Sequence, residues 1–223
     1  FISTVKTVSG LLHSWIITVS VNVWLVTQDA GVPELLSAMA AGRNAKMIVE
    51  TWSRGCPVAT SIGLAVAASN NGGRHVCVVP DERSKEEYLH AVTAGVEAAK
   101  TELIVEECPE KAMGALEGVD FLVVDSKSGD FAGILKSANI GDGGAVLTRK
   151  NAFCSQSKFV WHGVLRGNSR LVRSVVLPVG KGLDIAYIER FVGGAATGTG
   201  VGRRTSWIKL FDKRSGELHI FRR

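Results

Sequence analysis

Polar and charged residues follow several short apolar runs of this 223-residue chain, at positions where β-strands would end. In doubly wound α/β sheets, ligands bind in the crevice outside the carboxyl ends of the strands, so such residues are candidates for binding or catalysis. The candidates are Glu50, Asp81, Glu82, Asp125, Lys150 and Asn151. Carboxylates in these places could face an ammonium group, a ribose diol or a metal ion, and a lysine could act as a base.

Alternating strands and helices must position these residues. Helical spacing of apolar residues predicts helices over 31–41, 58–68, 84–99, 109–116 and 131–138. Ser84 is the expected N-cap of the third helix, with Glu87 three residues later. The strands expected between the helices lie at 47–50, 75–79, 103–105, 120–125 and 145–147. Strands separated by helices favour a parallel sheet with right-handed crossovers.

The pattern changes after Phe153. Residues 169–179 and 183–188 are both rich in β-branched and apolar residues, with no helix-length segment between them. They predict an antiparallel hairpin at or near one edge of the sheet. The fold class is therefore α/β, with a mostly parallel sheet closed by an antiparallel hairpin.

The net charge of +5 is concentrated at the end of the chain. Residues 203–223 hold seven of the 26 Lys/Arg and two of the 21 Asp/Glu, so the other 202 residues carry 19 of each and are neutral. The body thus offers no general attraction to nucleic acid. We divide the chain into an atypical apolar segment (1–30), an α/β domain (31–192), a Gly-rich linker (193–202) and a basic β-hairpin tail (203–223).

Residues 7–28 contain no Asp, Glu, Lys or Arg. Their length would suffice for a membrane span or a signal anchor. Several Ser/Thr and many β-branched residues fit a buried strand pair equally well. A gene-model or splice artefact is a third interpretation, and no membrane partner is expected unless this segment is genuine.

The four cysteines lie far apart without a C-x-x-C pair, and the histidines show no ligand spacing. This pattern is typical of reduced thiols and argues against a disulfide framework or a zinc site. It predicts a cytoplasmic or nuclear protein.

Three stretches resemble class I S-adenosylmethionine-dependent methyltransferases: IVETWSRGCPVATSIGLA, VDFLVVDSK and SVVLPVGKGLDIAYI. The nearest enzymes in this resemblance are the catechol and caffeoyl-CoA type O-methyltransferases. From Gly31 to Arg223 the chain also resembles a plant family of uncharacterised proteins in the same superfamily. The resemblance implies a Rossmann-like methyltransferase fold and S-adenosylmethionine as cofactor.

In that resemblance, Glu50 would hold the methionine amino group of the cofactor, and Asp81 or Glu82 its ribose. Trp52 and Gly55 lie in the cofactor loop, where the family usually has two or three glycines but this chain has only Gly55. A side chain could therefore fill the cofactor's place. Solvated strand-end or turn acids remain the alternative interpretation of the three carboxylates.

Asp125 aligns with a magnesium ligand of the catechol-type enzymes. The Asp-Asn pair expected on the next strand is here Lys150-Asn151, and an ammonium group would repel a divalent cation. We therefore expect no metal, a Lys150–Asp125 ion pair, and an acceptor side made of Asp125, Lys150 and Asn151.

The leading hypothesis is an S-adenosylmethionine-dependent methyltransferase-like protein that acts on an unidentified small-molecule acceptor. One alternative is a catalytically inactive binding or scaffold module with the same fold. Another is an adaptor that docks on protein or nucleic acid through the basic tail, although a solvated hairpin surface explains the tail as well.

Overall fold

The structure, a computed structural model, describes residues 31–93, 100–127, 129–155, 158–191, 207–211 and 218–222. The chain divides into two compact units, the first ending at Val192 and the second beginning at Gly193. The apolar segment at 1–30 and the linker at 193–202 lie outside the described residues. No helix among the described residues has the length and apolarity needed to cross a membrane.

The first unit contains a seven-stranded sheet and five α-helices within the described ranges. The strands are β1 (Met47–Thr51), β2 (Arg74–Val79), β3 (Thr101–Val105), β4 (Phe121–Asp125), β5 (Ala145–Lys150), β6 (Ser169–Leu177) and β7 (Leu183–Arg190). The helices are α1 (Val32–Gly42), α2 (Ala59–Asn70), α3 (Glu82–Thr93), α4 (Pro109–Ala115) and α5 (Phe131–Ser137). Two short 3₁₀ helices, Ala152–Cys154 and Trp161–Gly163, follow β5 and were not predicted.

The strand order is β3-β2-β1-β4-β5-β7-β6. The first five strands are parallel, and β7 pairs antiparallel with both β5 and β6. This confirms the predicted parallel sheet and its closing antiparallel hairpin, with β6 at the edge. Strands β1, β2, β4 and β5 are almost wholly buried, which explains the short continuous apolar runs within them, such as MIV in β1 and FLVV in β4.

Helices cover both faces of the sheet. Leu36 of α1 and Leu64 of α2 pack on Ile48 and the residues that share its face. Met113 of α4 and Ile134 of α5 pack on the opposite face. The side chain of Tyr88 places α3 on the same face as α1 and α2, because it packs on β2 residues in register with that face of β1. This arrangement is a doubly wound α/β fold.

The start of α3 differs from the prediction. The helix begins at Glu82, and the Asp81 carboxylate accepts a hydrogen bond of 2.6 Å from the Ser84 backbone amide. Asp81 is therefore the N-cap, and the prediction of Ser84 was wrong. Both residue types cap helices well, so the sequence offered two candidates three residues apart.

In the second unit, β8 (Trp207–Phe211) and β9 (Leu218–Arg222) form an antiparallel pair. The register joins Trp207 to Arg222 and Phe211 to Leu218. The hairpin predicted for the tail is thus present.

Candidate functional site

The order of the strands reverses between β1 and β4. From β1 the chain builds outward through β2 and β3, whereas β4 starts the other half of the sheet on the opposite side of β1. Such a reversal leaves a crevice outside the carboxyl ends of the two strands, where ligands bind in this class of fold. The loops that follow Thr51 and Asp125 border it, so the sequence candidates at these strand ends lie around one crevice.

The side chains of Asp125 and Asn151 are joined by two hydrogen bonds at this edge of the sheet. The Asn151 Nδ2 group donates hydrogen bonds of 2.8 Å to both carboxylate oxygens of Asp125. The Lys127 backbone amide donates a third, of 2.9 Å, to Asp125 Oδ1. Asn151 adopts the left-handed conformation, with φ of 56°, which asparagine tolerates better than most residues. This turn carries its side chain back over Asp125.

Lys150 lies directly opposite Asp125 in the register of β4 and β5. The ion pairs within the described ranges nevertheless do not join these two side chains. The expected Lys150–Asp125 ion pair is therefore wrong, and the hydrogen-bond donors to the Asp125 carboxylate are Asn151 and the Lys127 amide. The positive charge of Lys150 instead acts on Glu50, where it helps to lower the pKa of that carboxyl.

Glu50 is buried on the same face of the sheet, with 1% of its surface exposed. Its Oε1 atom lies 3.4 Å from Nε2 of His75, which is equally buried. Burial raises the pKa of the Glu50 carboxyl, but the imidazole of His75 and the ammonium of Lys150 favour the charged form and bring this pKa below its usual value. Glu50 is thus enclosed by protein groups, although its Oε1 atom makes no hydrogen bond within the described part of the chain.

His75 belongs to a buried polar cluster that the sequence analysis missed. Its Nδ1 atom lies 3.0 Å from the Thr101 hydroxyl. Cys77 lies beside Glu50 in the strand register, and burial followed by the charge of Glu50 raises the pKa of its thiol well above the usual value. The same two causes raise the pKa of the Tyr88 phenol. The signal was the alternation along β2, which places positions 75 and 77 on the face of Glu50.

The loop after β1 is closed by Trp52. Only 3% of its surface is exposed, and its ring meets Tyr88 edge-on at 5.4 Å between ring centroids. Its indole N–H donates a hydrogen bond of 3.2 Å to the Cys56 carbonyl. The large side chain therefore packs into the core between β2 and α3.

Glu87 of α3 holds the same loop from outside. Its carboxylate accepts hydrogen bonds of 2.9 Å from the Gly55 backbone amide and 3.1 Å from Arg54 Nε. These bonds lower the pKa of Glu87, with the Gly55 amide the larger cause. Gly55 has φ of +74°, so its glycine serves a left-handed turn. Its amide is already committed to a protein partner.

Asp81 and Glu82 are exposed at the carboxyl end of β2. The hydrogen bond from the Ser84 backbone lowers the pKa of Asp81, which stabilises α3 as its cap. Glu82 contacts only Lys85 among the described residues, at 3.0 Å. Both carboxylates remain accessible to solvent.

Two shielded hydroxyl groups at the crevice have no hydrogen-bond partner within the described part of the chain: Thr51 Oγ1 at the end of β1 and Ser126 Oγ after β4. Unpartnered buried polar groups are uncommon and call for an explanation, such as solvent or a ligand. Between these loops, Cys56 Sγ lies 3.9 Å from Asp125 Oδ2. Burial and the charge of Asp125 raise the pKa of this thiol.

Groups of His, Cys, Asp and Glu that could hold a metal ion were not found among the described residues. The hydrogen bonds that Asp125 accepts from Asn151 use both of its oxygens. What the crevice offers chemically is one fixed carboxylate–amide pair, the ammonium of Lys150 beside it, and two exposed carboxylates after β2.

Solved methyltransferase structures share this fold. A methyltransferase from Geobacter sulfurreducens is similar over 73% of this chain and 80% of its own, with a TM-score of 0.56 and 21% identity. A Podospora anserina methyltransferase bound to SAH covers 72% and 78%, with a TM-score of 0.52 and 16% identity. A Streptomyces achromogenes O-methyltransferase involved in tomaymycin synthesis, in complex with SAM, covers 72% and 80%, with a TM-score of 0.50 and 20% identity. The fold is therefore the Rossmann-like methyltransferase fold, as predicted.

The chain itself belongs to the family described as "Protein of unknown function (DUF1442)". The family model matches residues 13–223, which includes the body, the closing hairpin of β6 and β7, and the hairpin of β8 and β9. The match begins at residue 13 and so extends beyond the resemblance to a plant family, which begins at Gly31. A comparison with curated proteins found no match.

Proposed function

We propose that this protein binds S-adenosylmethionine at the crevice between β1 and β4 and transfers its methyl group to a small acceptor. The observation that carries the proposal is the position of the polar groups: they surround the point where the strand order reverses in a methyltransferase fold. The unpartnered hydroxyls of Thr51 and Ser126 at the same edge support a polar ligand there.

The residues fit such a ligand at two of its ends. Asp81 and Glu82 are exposed, and although Asp81 Oδ1 caps α3 and Glu82 contacts Lys85, their carboxylates can accept further hydrogen bonds from a ribose diol. On the acceptor side, Asn151 and Asp125 fix one another, and the ammonium group of Lys150 beside them can donate a hydrogen bond to an acceptor oxygen. S-adenosylmethionine, when bound, supplies an electrophilic methyl group. The protein's part is to hold the acceptor in line with it.

At the methionine end the usual arrangement is absent. Glu50 is buried against His75 and Trp52 fills the core side of the loop, so the amino group of the ligand would need other partners. We assign that role to no residue.

The test is calorimetric titration of the full chain with S-adenosylmethionine and S-adenosylhomocysteine, with and without Mg²⁺. We expect saturable binding of both that is independent of Mg²⁺. The Asp81→Asn variant keeps the helix cap but loses the charge, and with Glu82→Gln it should weaken binding about tenfold, as expected for charge-assisted hydrogen bonds. Glu86→Gln, an exposed acid on the same helix, is the matched control. Absence of heat and of a thermal shift at millimolar ligand would refute the proposal.

A catalytically inactive binding module is the second candidate, and the closed loop favours it. Trp52 fills the core side of the loop, and Glu87 engages the Gly55 amide from the other side. Saturable binding of S-adenosylhomocysteine without methyl transfer to any of a panel of phenolic acceptors would support this candidate over the first.

The plant origin and the cytoplasmic or nuclear location stay predictions. The adaptor hypothesis for the basic tail also stays a prediction, and a chain truncated after residue 192 would test it.

A further inference from the structure

A second cavity lies at the opposite edge of the sheet from the candidate site. Its volume is about 300 Å³, and the segment after α5, the loop at 164–169 and the end of β7 enclose it. Because β7 runs antiparallel to β5, with Ala145 opposite Ile188, Arg190 lies beside the amino end of β5. Lys150 and the candidate crevice mark the carboxyl end of that strand. The two sites are therefore separated by the length of β5.

The floor of this amino-edge cavity is apolar. Leu135, Leu147 and Val164 line it, and all three belong to the buried core. Such a floor keeps its shape when a ligand enters, because close-packed side chains cannot easily shift. The volume lies at the lower end of the range for small-molecule sites, which suits a compact ligand.

The rim is cationic. Lys136, Arg166 and Arg190 line the cavity, and its lining includes neither Asp nor Glu. Arg190 Nη1 donates a hydrogen bond of 2.7 Å to the Ile140 carbonyl and lies 3.6 Å from Asp142, so its guanidinium is held at the rim. Ion pairs between Lys136 or Arg166 and other described residues are absent. Two cationic groups are therefore available to a ligand.

We propose that this amino-edge cavity binds a small organic anion. Its apolar body would lie on Leu135, Leu147 and Val164, and its charged group would meet Lys136 and Arg166 at the rim. Charge-assisted hydrogen bonds from lysine and arginine recognise both carboxylates and phosphates, so the shared chemistry is an anionic group on an apolar body. The inference does not depend on the proposed methyl transfer, because the cavity and the crevice share no residue.

Three probes test the proposal: phenyl phosphate, phenylacetate and the neutral phenylacetamide. Each is titrated into the ¹⁵N-labelled full chain, and backbone amide shifts are followed together with binding heat. We expect the two anions to shift the amides of residues 135–140 and 164–169 in a saturable manner, while phenylacetamide binds at least about tenfold more weakly. The ratio of the two anion affinities identifies the preferred charged group.

The Lys136→Gln, Arg166→Gln double variant should weaken anion binding about tenfold or more without changing the unfolding midpoint, since both side chains are exposed. Arg173→Gln removes an exposed arginine outside the cavity and should leave binding unchanged. Equal binding of the neutral amide, undiminished binding by the double variant, or shifts confined to other residues would each overturn the proposal.

Discussion

Replacing Trp52 by alanine should strongly destabilise the protein. The indole is 97% buried in a cluster with Cys77, Val79 and Tyr88. Truncating a large aromatic residue in a core costs about 3–5 kcal/mol, of which the edge-to-face contact with Tyr88 accounts for about 1 kcal/mol. We expect a loss of about 4 kcal/mol in the free energy of unfolding. With a urea dependence of about 2 kcal/mol per molar, the unfolding midpoint should fall by about 2 M.

Two further variants calibrate this measurement. Trp52→Phe keeps most of the ring but loses the hydrogen bond to the Cys56 carbonyl, and it should cost about 1–2 kcal/mol. Val160→Ala removes an exposed side chain and should change stability by less than about 0.5 kcal/mol. If Trp52→Ala costs no more than Val160→Ala, the indole does not fill the core, and the loop after β1 is open to a ligand.

Two other predictions concern buried charges. Because the pKa of Glu50 is lower in the folded protein, its contribution to stability is full above its unfolded value of about 4.5 and is lost as the pH falls through the folded value. Glu50→Gln should therefore flatten the loss of stability in acid, measured by urea unfolding at a series of pH values, and an unchanged acid slope would contradict the assignment. Asp184→Asn should cost about 3 kcal/mol, because it leaves the buried Arg149 guanidinium, now 3.1 Å from Asp184, without a counter-ion. The control is Glu189→Gln, which breaks the exposed ion pair with Arg170 and should lower the free energy of unfolding by less than about 0.5 kcal/mol. If both variants lost the same stability, the buried ion pair would be no more important than the exposed one.

Most of the fold could be predicted because buried positions carry apolar residues, and their spacing is visible in the sequence. Strand β4 is buried at every position, so FLVVD has no solvent-facing alternation to obscure it. The closing hairpin was recognisable because Leu177 and Leu183 are too close in sequence for a helix to lie between them. The cap of α3 was misplaced, since Asp81 and Ser84 both satisfy the residue preference and only backbone geometry decides between them.

The ends of the strands that carry the candidate residues could be predicted, but the contacts of their side chains could not. The strand ends were found correctly, yet the partners of their side chains depend on one left-handed residue, Asn151, which turns its amide onto Asp125 and leaves Lys150 unpaired with it. The burial of Glu50 could not be seen either, because the side chain that faces it, His75, lies within an apolar run of the sequence. Such contacts depend on the register of strands that are far apart in sequence, and this register cannot be determined from one sequence.

The placement of β7 has a consequence for folding during synthesis on the ribosome. Strand β5 gains its second neighbour only when Leu183–Arg190 has been made, well after its own last residue, Lys150. Until then β5 is the edge strand of the nascent sheet. Its backbone N–H and C=O groups on that side are unpaired and can pair with strands of other chains. The hairpin of β6 and β7 thus covers the edge of β5 only late in synthesis. A chain whose synthesis stops before Leu183 should therefore depend on chaperones far more than the complete chain does.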